Sequence, residues 1–473
     1  MTAATVKKNH DLVLSNMWLL SSLSLVDEVK ETLHRDGLVP TILTSVADYS
    51  KDTDVAEIGR EVVELVVDEG TVSDTVRDMK SQITAALKNP GDTTALEASI
   101  ARAAAFSVCP KFAEQMVRSN GVGELVRAMN EITRVKKCPR QETLLCGASA
   151  ALVQISRSTA ADEDLRQMMA SSGVVAASIA SVKEHPKLTA HVKAAVSFLE
   201  AYAQIPECAQ EIAEGGGVEA CVCALRANEN EVAVVSSAVN TLVQLASTSR
   251  GAVSVARFGG TRQVISTIMA NAGTPGFAQP MGEMIGLLQR VSTTAEGQDV
   301  LVKQGGVEAI IAASDSIGRG GGAATAVTAA ASKTLGKLLT ANDVDAAVRE
   351  VCLAISTLVV PERAEELKHI MSRLGHMCGV SAANAETVVR GGGAASVAAI
   401  ATRLLAPDVP EDMRADVLPA ALAVRTRATL RAGGGGAPAY CCRCCWRGWC
   451  CTRRRSRASR ARRSCRRTST SRA

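Results

Sequence analysis

A glycine followed by an aliphatic or small residue and an apolar run returns along this chain at a nearly even interval. It stands at Gly37, Gly121, Gly173, Gly217, Gly260, Gly306 and Gly393. The successive steps are 84, 52, 44, 43, 46 and 87 residues. The two long steps are about double the others, so a unit of roughly 42–47 residues fits throughout, with two starts near Met79 and Val348 that have lost the mark. The 52-residue step needs a short loop insertion. Such a period restricts the chain to stacked supersecondary units, each too small to enclose a core alone. It also accounts for 473 residues without several unrelated globular domains.

The units read as helical. Hydrophobic residues make up 47% of the chain and aromatics only 2%, so the interior must be built from Ala, Val, Leu, Ile and Met. These pack helices closely, whereas a large sheet would call for more Tyr, Phe and Trp. The clearest unit runs from Gly217 to Gly259. A helix of two to three turns ends at Leu225, residues 226–231 form a polar turn, and a long helix carries Val232, Val235, Val239, Leu242 and Ala246 on one face. A short helix from Ala252 to Phe258 then leads into Gly259-Gly260, where the chain can turn sharply. Leu145, Ala148, Leu152 and Ile155 mark another long helix, and Val348, Val351, Ile355 and Leu358 a further one. Thr94-Ala-Leu-Glu97 has the form of a capping box, and Pro361 and Pro410 are expected at first helical positions.

Charge is divided unevenly. The net charge is +5, yet fifteen Arg follow Asp416 with no acidic residue among them. Removing those fifteen leaves residues 1–416 at −10, a poor non-specific ligand for nucleic acid. Eight of the fifteen Cys are scattered through this body without a disulfide framework, which implies a reducing compartment. Lys7 and Lys8 precede an apolar run from Leu12 to Val26 that loosely mimics a secretory leader. Asp11, Asn16 and four Ser interrupt that pattern, so residues 1–35 read as a capping helical region. No run resembles a membrane-spanning helix.

Residues 36–432 carry the repeat, and 433–473 are of another kind. Four Gly, six Cys between Cys441 and Cys451, and an Arg/Ser run make up this tail. Clustered thiolates could bind a soft metal, and the Arg run could bind nucleic acid or serve as a nuclear address. The favoured reading is a GC-rich gene translated out of frame or through an intron, given the abrupt loss of Asp, Glu, Lys, Leu, Ile and Val. On any of these readings the tail is expected to be disordered, because it has little apolar surface to bury.

Three helices per unit, a glycine before the second and a period in the forties resemble the armadillo-repeat family, over about residues 8–405. The resemblance implies an all-α, right-handed α-solenoid of about nine units, with each unit's third helix lining a concave groove. In the family's nuclear-import adaptors that helix carries a Trp and, one turn later, an Asn. The pairs at matching positions here are Trp18/Ser22, Arg60/Glu64, Ala150/Gln154, Ser197/Ala201, Asn240/Gln244, Gly286/Arg290, Lys333/Lys337 and Ser372/His376. Trp18 alone matches the aromatic, and no pair has the Asn, so the grip of an import adaptor on a basic peptide is not expected. The resemblance instead implies partner contacts at Trp18, Gln154, Asn240, Gln244, Arg290, Lys333, Lys337 and His376. Arg290, Lys333 and Lys337 admit a groove that turns basic toward its C-terminal half, but ordinary solvated surface charge is the favoured reading of them.

No catalytic constellation stands out. Arg319-Gly320-Gly321-Gly322 and Gly391–Gly393 do not continue into Gly-Lys-Ser/Thr and follow no predicted strand, so they read as turns. The six His form no metal-ligand spacing with Cys, and His185 and His191 are expected in turn and surface roles. The carboxylates Asp343, Asp345, Glu365 and Glu366 sit near helix starts, where the helix dipole accounts for them. The expectation is a non-catalytic scaffold or adaptor without cofactor or metal, monomeric and cytoplasmic. A cargo adaptor of nucleus or cilium, with the basic tail as its address, is the alternative.

Overall fold

A computed structural model describes residues 3–431, apart from 36–37, 40–41, 43–52, 90, 136–137, 139, 275, 319–323 and 358–362. Gly37, Leu358, Pro361, Arg319–Gly322 and the segment 433–473 therefore lie outside the described residues. The described residues form 25 helices and no strand. They divide into two compact bodies, Met1–Leu339 and Thr340–Ala473, at a point the sequence pattern does not mark.

In the first body, five complete three-helix units follow one another from Pro110. The third of these five consists of Pro206–Glu214, Gly217–Ala227 and Val232–Leu245, and the next of Ser249–Arg257, Gly260–Asn271 and Ala278–Val291. Two less regular units and the helix Ala3–Leu23 come before them. In the second body, Ala341–Thr357 and Ala364–Val380 form one unit, and Ala382–Arg390, Gly393–Leu404 and Glu411–Arg431 another. The described residues thus make up an all-helical tandem repeat of nine units, running past residue 405 to Arg431.

The corner between the first and second helices uses two residues in two ways. Gly216 has φ +89°, a region that costs an L side chain roughly 1–2 kcal/mol, and it is the residue before the expected Gly217 that turns the chain. Gly217 opens the next helix, where a Cβ would lie 2.2 Å from Ile212 Cγ2 and 2.7 Å from the Ile212 carbonyl oxygen. Gly259, Gly305 and Gly392 repeat the first role, and Asn120 takes it at φ 62° before Gly121. The fourth unit turns at Gly173 and continues with Val174, so its expected glycine is itself the turning residue.

The two places where the glycine mark is missing have no corner. Glu69–Lys88 and Ala341–Thr357 each run as one helix through the expected starts near Met79 and Val348. A different mark keeps count there. The residues capping the first helices are Asp68, Cys109, Asp162, Ile205, Thr248, Thr294 and Ser381, and Thr340 holds the matching place. The Asp68, Asp162, Thr248, Thr294 and Ser381 side chains accept from the backbone amide three residues on, whereas Cys109 and Ile205 are followed by Pro110 and Pro206 at the first helical position. Thr340 and Asp343 form a reciprocal capping box. The expected box at Thr94–Glu97 is not one: helix Thr94–Phe106 has no side-chain cap, and Glu97 pairs with Arg140 of the next unit. Pro410 precedes helix Glu411–Arg431 rather than opening it.

Packing follows rows. Third helices lie against third helices and second against second, each burying apolar side chains between neighbours. Leu145, Ala148, Leu152 and Ile155 are all fully buried, as their spacing requires, whereas Val232 stays exposed at the entry to its helix. Fully burying a Val or Leu contributes about 1.5–3 kcal/mol, so the rows are held by many modest contributions rather than one central core. All eight cysteines among the described residues are free thiols. Burial pushes the Cys221 thiol up to about 12 and Cys378 up to about 11, so both act as small uncharged core side chains.

Candidate partner-binding face

The exposed edge of the third-helix row in the first body carries most of the sequence-derived contact residues. Trp18 is exposed on Ala3–Leu23, where its carbonyl accepts the Ser22 hydroxyl at 3.0 Å. Gln154 and Gln244 are half-buried on Gln141–Ser158 and Val232–Leu245. Asn240, one turn before Gln244, is also half-buried. Lys333 and Lys337 are exposed one turn apart on Ala324–Leu338. His376 departs from this set. It lies in the second body and is only 8% exposed on Ala364–Val380, so its ring is enclosed rather than offered to a partner.

Neighbouring third helices are tied across this face. Asn240 Nδ2 donates to Glu200 at 3.0 Å, and Ser236 donates to Glu283 at 2.6 Å. The Ser197 and Ser237 hydroxyls are 3.3 Å apart, and the Arg290 guanidinium donates to the Val243 carbonyl at 3.1 Å. Asn240 and Arg290 are therefore partly engaged in joining repeats. Glu200, Ser236, Ser237 and Glu283 belong to the same surface and escaped the sequence reading. Their signal is a polar residue recurring one repeat away, 40 to 47 residues off, at a matching helical phase.

The face changes character along the row. Helix Thr53–Val66 exposes Asp54, Glu57, Glu61 and Glu64, with Arg60 among them. The middle helices present Ala150, Gln154, Ser197, Ala201 and Gln244, small or uncharged. Arg290, Lys333 and Lys337 follow. Among the described residues, no acidic side chain stands within ion-pair distance of these three cations.

A second set of polar side chains lies where second helices end. The Asn228 Nδ2 donates to the Pro186 carbonyl of the preceding unit at 2.8 Å, while its Oδ1 accepts from Thr189 at 2.8 Å. Asn271 donates to the Glu229 carbonyl at 3.1 Å, one unit later. His185 Nε2 lies 3.2 Å from the Thr133 carbonyl oxygen on the unit before. These side chains bond backbone carbonyls of the preceding unit, at helix ends and in loops, that stacking would otherwise strand. His191, expected at the surface, is instead fully buried, and desolvation holds its ring well below the ordinary histidine range, at about 4.

Among the described residues, no three His, Cys, Asp or Glu side chains gather in a form that could hold a metal, and no helix is long and apolar enough to cross a membrane. No protein-family model matches the sequence, and no curated protein does. Among solved structures, the chain is similar to the crystal structure of an engineered protein, at 14% identity and a TM-score of 0.46, over 88% of this chain and 95% of that one. It is also similar to a circular tandem repeat protein with novel repeat topology and enhanced subunit contact surfaces, at 13% identity and a TM-score of 0.30, over 84% and 97% of the two chains. The helical repeat itself is read from this chain's own helices.

Proposed function

We propose that this chain is a non-catalytic interaction scaffold of the armadillo type, which holds a segment of another protein along the third-helix face of its first body. The observation that carries the reading is the face itself: a row of side-by-side helices with polar side chains at its surface, ending in three cations without acidic partners among the described residues. A row of uncompensated cations selects against basic segments and favours acidic ones at that end, through on-rate and orientation more than raw affinity. Gln154 and Gln244, half-buried and with amides available, suit the backbone of an extended segment in the middle.

The test compares proteins recovered on the wild-type chain with those recovered on a variant carrying Gln244→Ala, Arg290→Glu and Lys337→Glu. A control variant carries Arg250→Glu and Lys303→Glu, on first helices away from this face. Partners lost from the triple variant and kept by the control support the reading; the same partners on all three proteins would sink it.

A further inference from the structure

Helix Ala278–Val291 carries two glycines one turn apart, Gly282 and Gly286, and the fold fills the space over only one of them. A Cβ on Gly282 would lie 3.2 Å from Val327 Cγ2 of the next third helix, so packing between units uses that bare backbone. A Cβ on Gly286 would meet nothing within 4 Å. Gly286 is half-buried in the helix interior, with no turn, cap or positive φ to require it. Alanine would fit there and would favour the helix more. Gly286 thus leaves a bare strip of helix main chain that the fold itself does not cover.

Contacts between units place donors around this gap. Ser236 donates to Glu283 and Arg290 to the Val243 carbonyl, both across 47 residues, so Val232–Leu245 runs in register beside Ala278–Val291. Asn240, one turn after Ser236, then stands level with Gly286 and Leu287, and Gln244 with Arg290 and Val291. On the other side, the approach of Val327 to Gly282 sets Lys333 and Lys337 within a turn of the levels of Gly286 and Arg290. The gap therefore falls between Asn240 on one neighbouring helix and Lys333 on the other. Two carboxylates of this face are engaged: Glu283 accepts from Ser236 at 2.6 Å and Gln279 at 3.2 Å, and Glu200 from Asn240 at 3.0 Å. Arg290, Lys333 and Lys337 have no acidic partner among the described residues.

We propose that an extended acidic segment of another protein crosses helix Ala278–Val291 at Gly286, its main chain laid on the bare helix and a carboxylate held by Arg290 and Lys333. The proposal rests on the reading of the third-helix face as the binding surface and names where and by what chemistry the segment is held. Charge selects the occupant, because a carboxylate brought to these cations gains partners that the fold does not supply. The missing side chain selects the place, because a main chain can approach the helix more closely over glycine than over any other residue. The gap is one residue wide. A helix, roughly 10–12 Å across with its side chains, would meet Asn240 and Lys333 before reaching Gly286, whereas a single extended chain fits between them. Arg290 is already oriented by the Val243 carbonyl, and its remaining N–H groups are left to donate.

Fluorescence anisotropy of a fluorescein-labelled hexaglutamate peptide, titrated with the full chain at low ionic strength, tests this. Gly286→Met, which fills the gap, is expected to weaken binding about tenfold or more, and Arg290→Glu to remove it. The thermal midpoint of Gly286→Met is expected to hold, since nothing lies within 4 Å of the added Cβ. Gly286→Ala is expected to raise the midpoint and still weaken the peptide, a pairing that a merely structural glycine would not give. Val302→Met, at an exposed position on the first helix Ala295–Lys303, is expected to leave binding unchanged. Equal binding by the wild type and Gly286→Met overturns the crossing at Gly286 and leaves the third-helix reading to the recovery experiment above. Hexaglutamate that fails to bind the wild type, or a hexalysine peptide that binds as tightly, overturns the acidic segment. A midpoint lowered by Gly286→Ala assigns the glycine to the fold and overturns the proposal as well.

Discussion

His191 sits inside the contact between helices Gln141–Ser158 and Thr189–Tyr202, its Nδ1 3.5 Å from the Ser149 hydroxyl and its Nε2 without a side-chain hydrogen bond among the described residues. A proton there would be charged and enclosed, and desolvation lowers its pKa from 6.5 to about 4, with nearby His185 adding to the effect. The unfolded chain takes up that proton near pH 6.5 and the folded chain near 4. Stability from this group is therefore full above about pH 6.5 and falls as the pH drops toward 4, by up to about 3 kcal/mol. Urea midpoints at pH 7 and pH 5 are expected to differ in the wild type and to draw together in His191→Leu. Nothing in the one-dimensional pattern distinguishes His191 from an exposed histidine, because its burial comes from helix Gln141–Ser158, a repeat away. His376 was misplaced for the same reason. Helical phase gives the face of its own helix but not which neighbour covers that face.

At the scale of elements, the repeat was legible because its corners need glycine, and the corners are also where legibility stopped. Gly217 is required by its approach to Ile212, Gly216 by its backbone angle, and either can be lost when the corner straightens, as in Glu69–Lys88 and Ala341–Thr357. The first-helix starts from Asp68 to Ser381 hold their interval across those gaps, and Ser, Thr, Asp or a proline at the next position would have shown them. The ties between units were harder to read. Asn228 looked like part of a polar turn, yet it bonds the preceding unit's loop and the hydroxyl of Thr189. Replacing it by Ala strands the Pro186 carbonyl and is expected to cost about 1–3 kcal/mol. Asn228→Asp keeps the acceptor for Thr189 and removes the donor, so its denaturant midpoint should show the loss at Pro186 separately.

For the whole molecule, the division at Leu339/Thr340 has a direct consequence for folding. A repeat array is stabilised by each unit and its nearest neighbours, so a body that closes its contacts internally can stand without distant units. A chain ending at Leu339 is expected to keep a helical circular dichroism spectrum and to unfold in one cooperative transition. A fragment with a largely disordered spectrum would show instead that residues 340–431 are needed to fold the first body. This boundary was invisible in the sequence because the units on either side keep the same period. A count of about nine units was legible from period and chain length, but not the exact number, because two corners have lost their glycine.

Helix Glu411–Arg431 buries Met413, Val417, Ala421, Val424 and Ala428 in one unbroken line, with Val424 and Arg427 laid against Gly375 of the neighbouring helix Ala364–Val380. That line constrains nucleotides as well as atoms. A slip of a single base before it would replace every later residue at once, and this apolar spacing with them. If the reading frame changes or an intron is retained, we expect the change to lie beyond this helix, within residues 433–473. Sequencing the transcript across that stretch is enough to decide whether the cysteine- and arginine-rich end is translated.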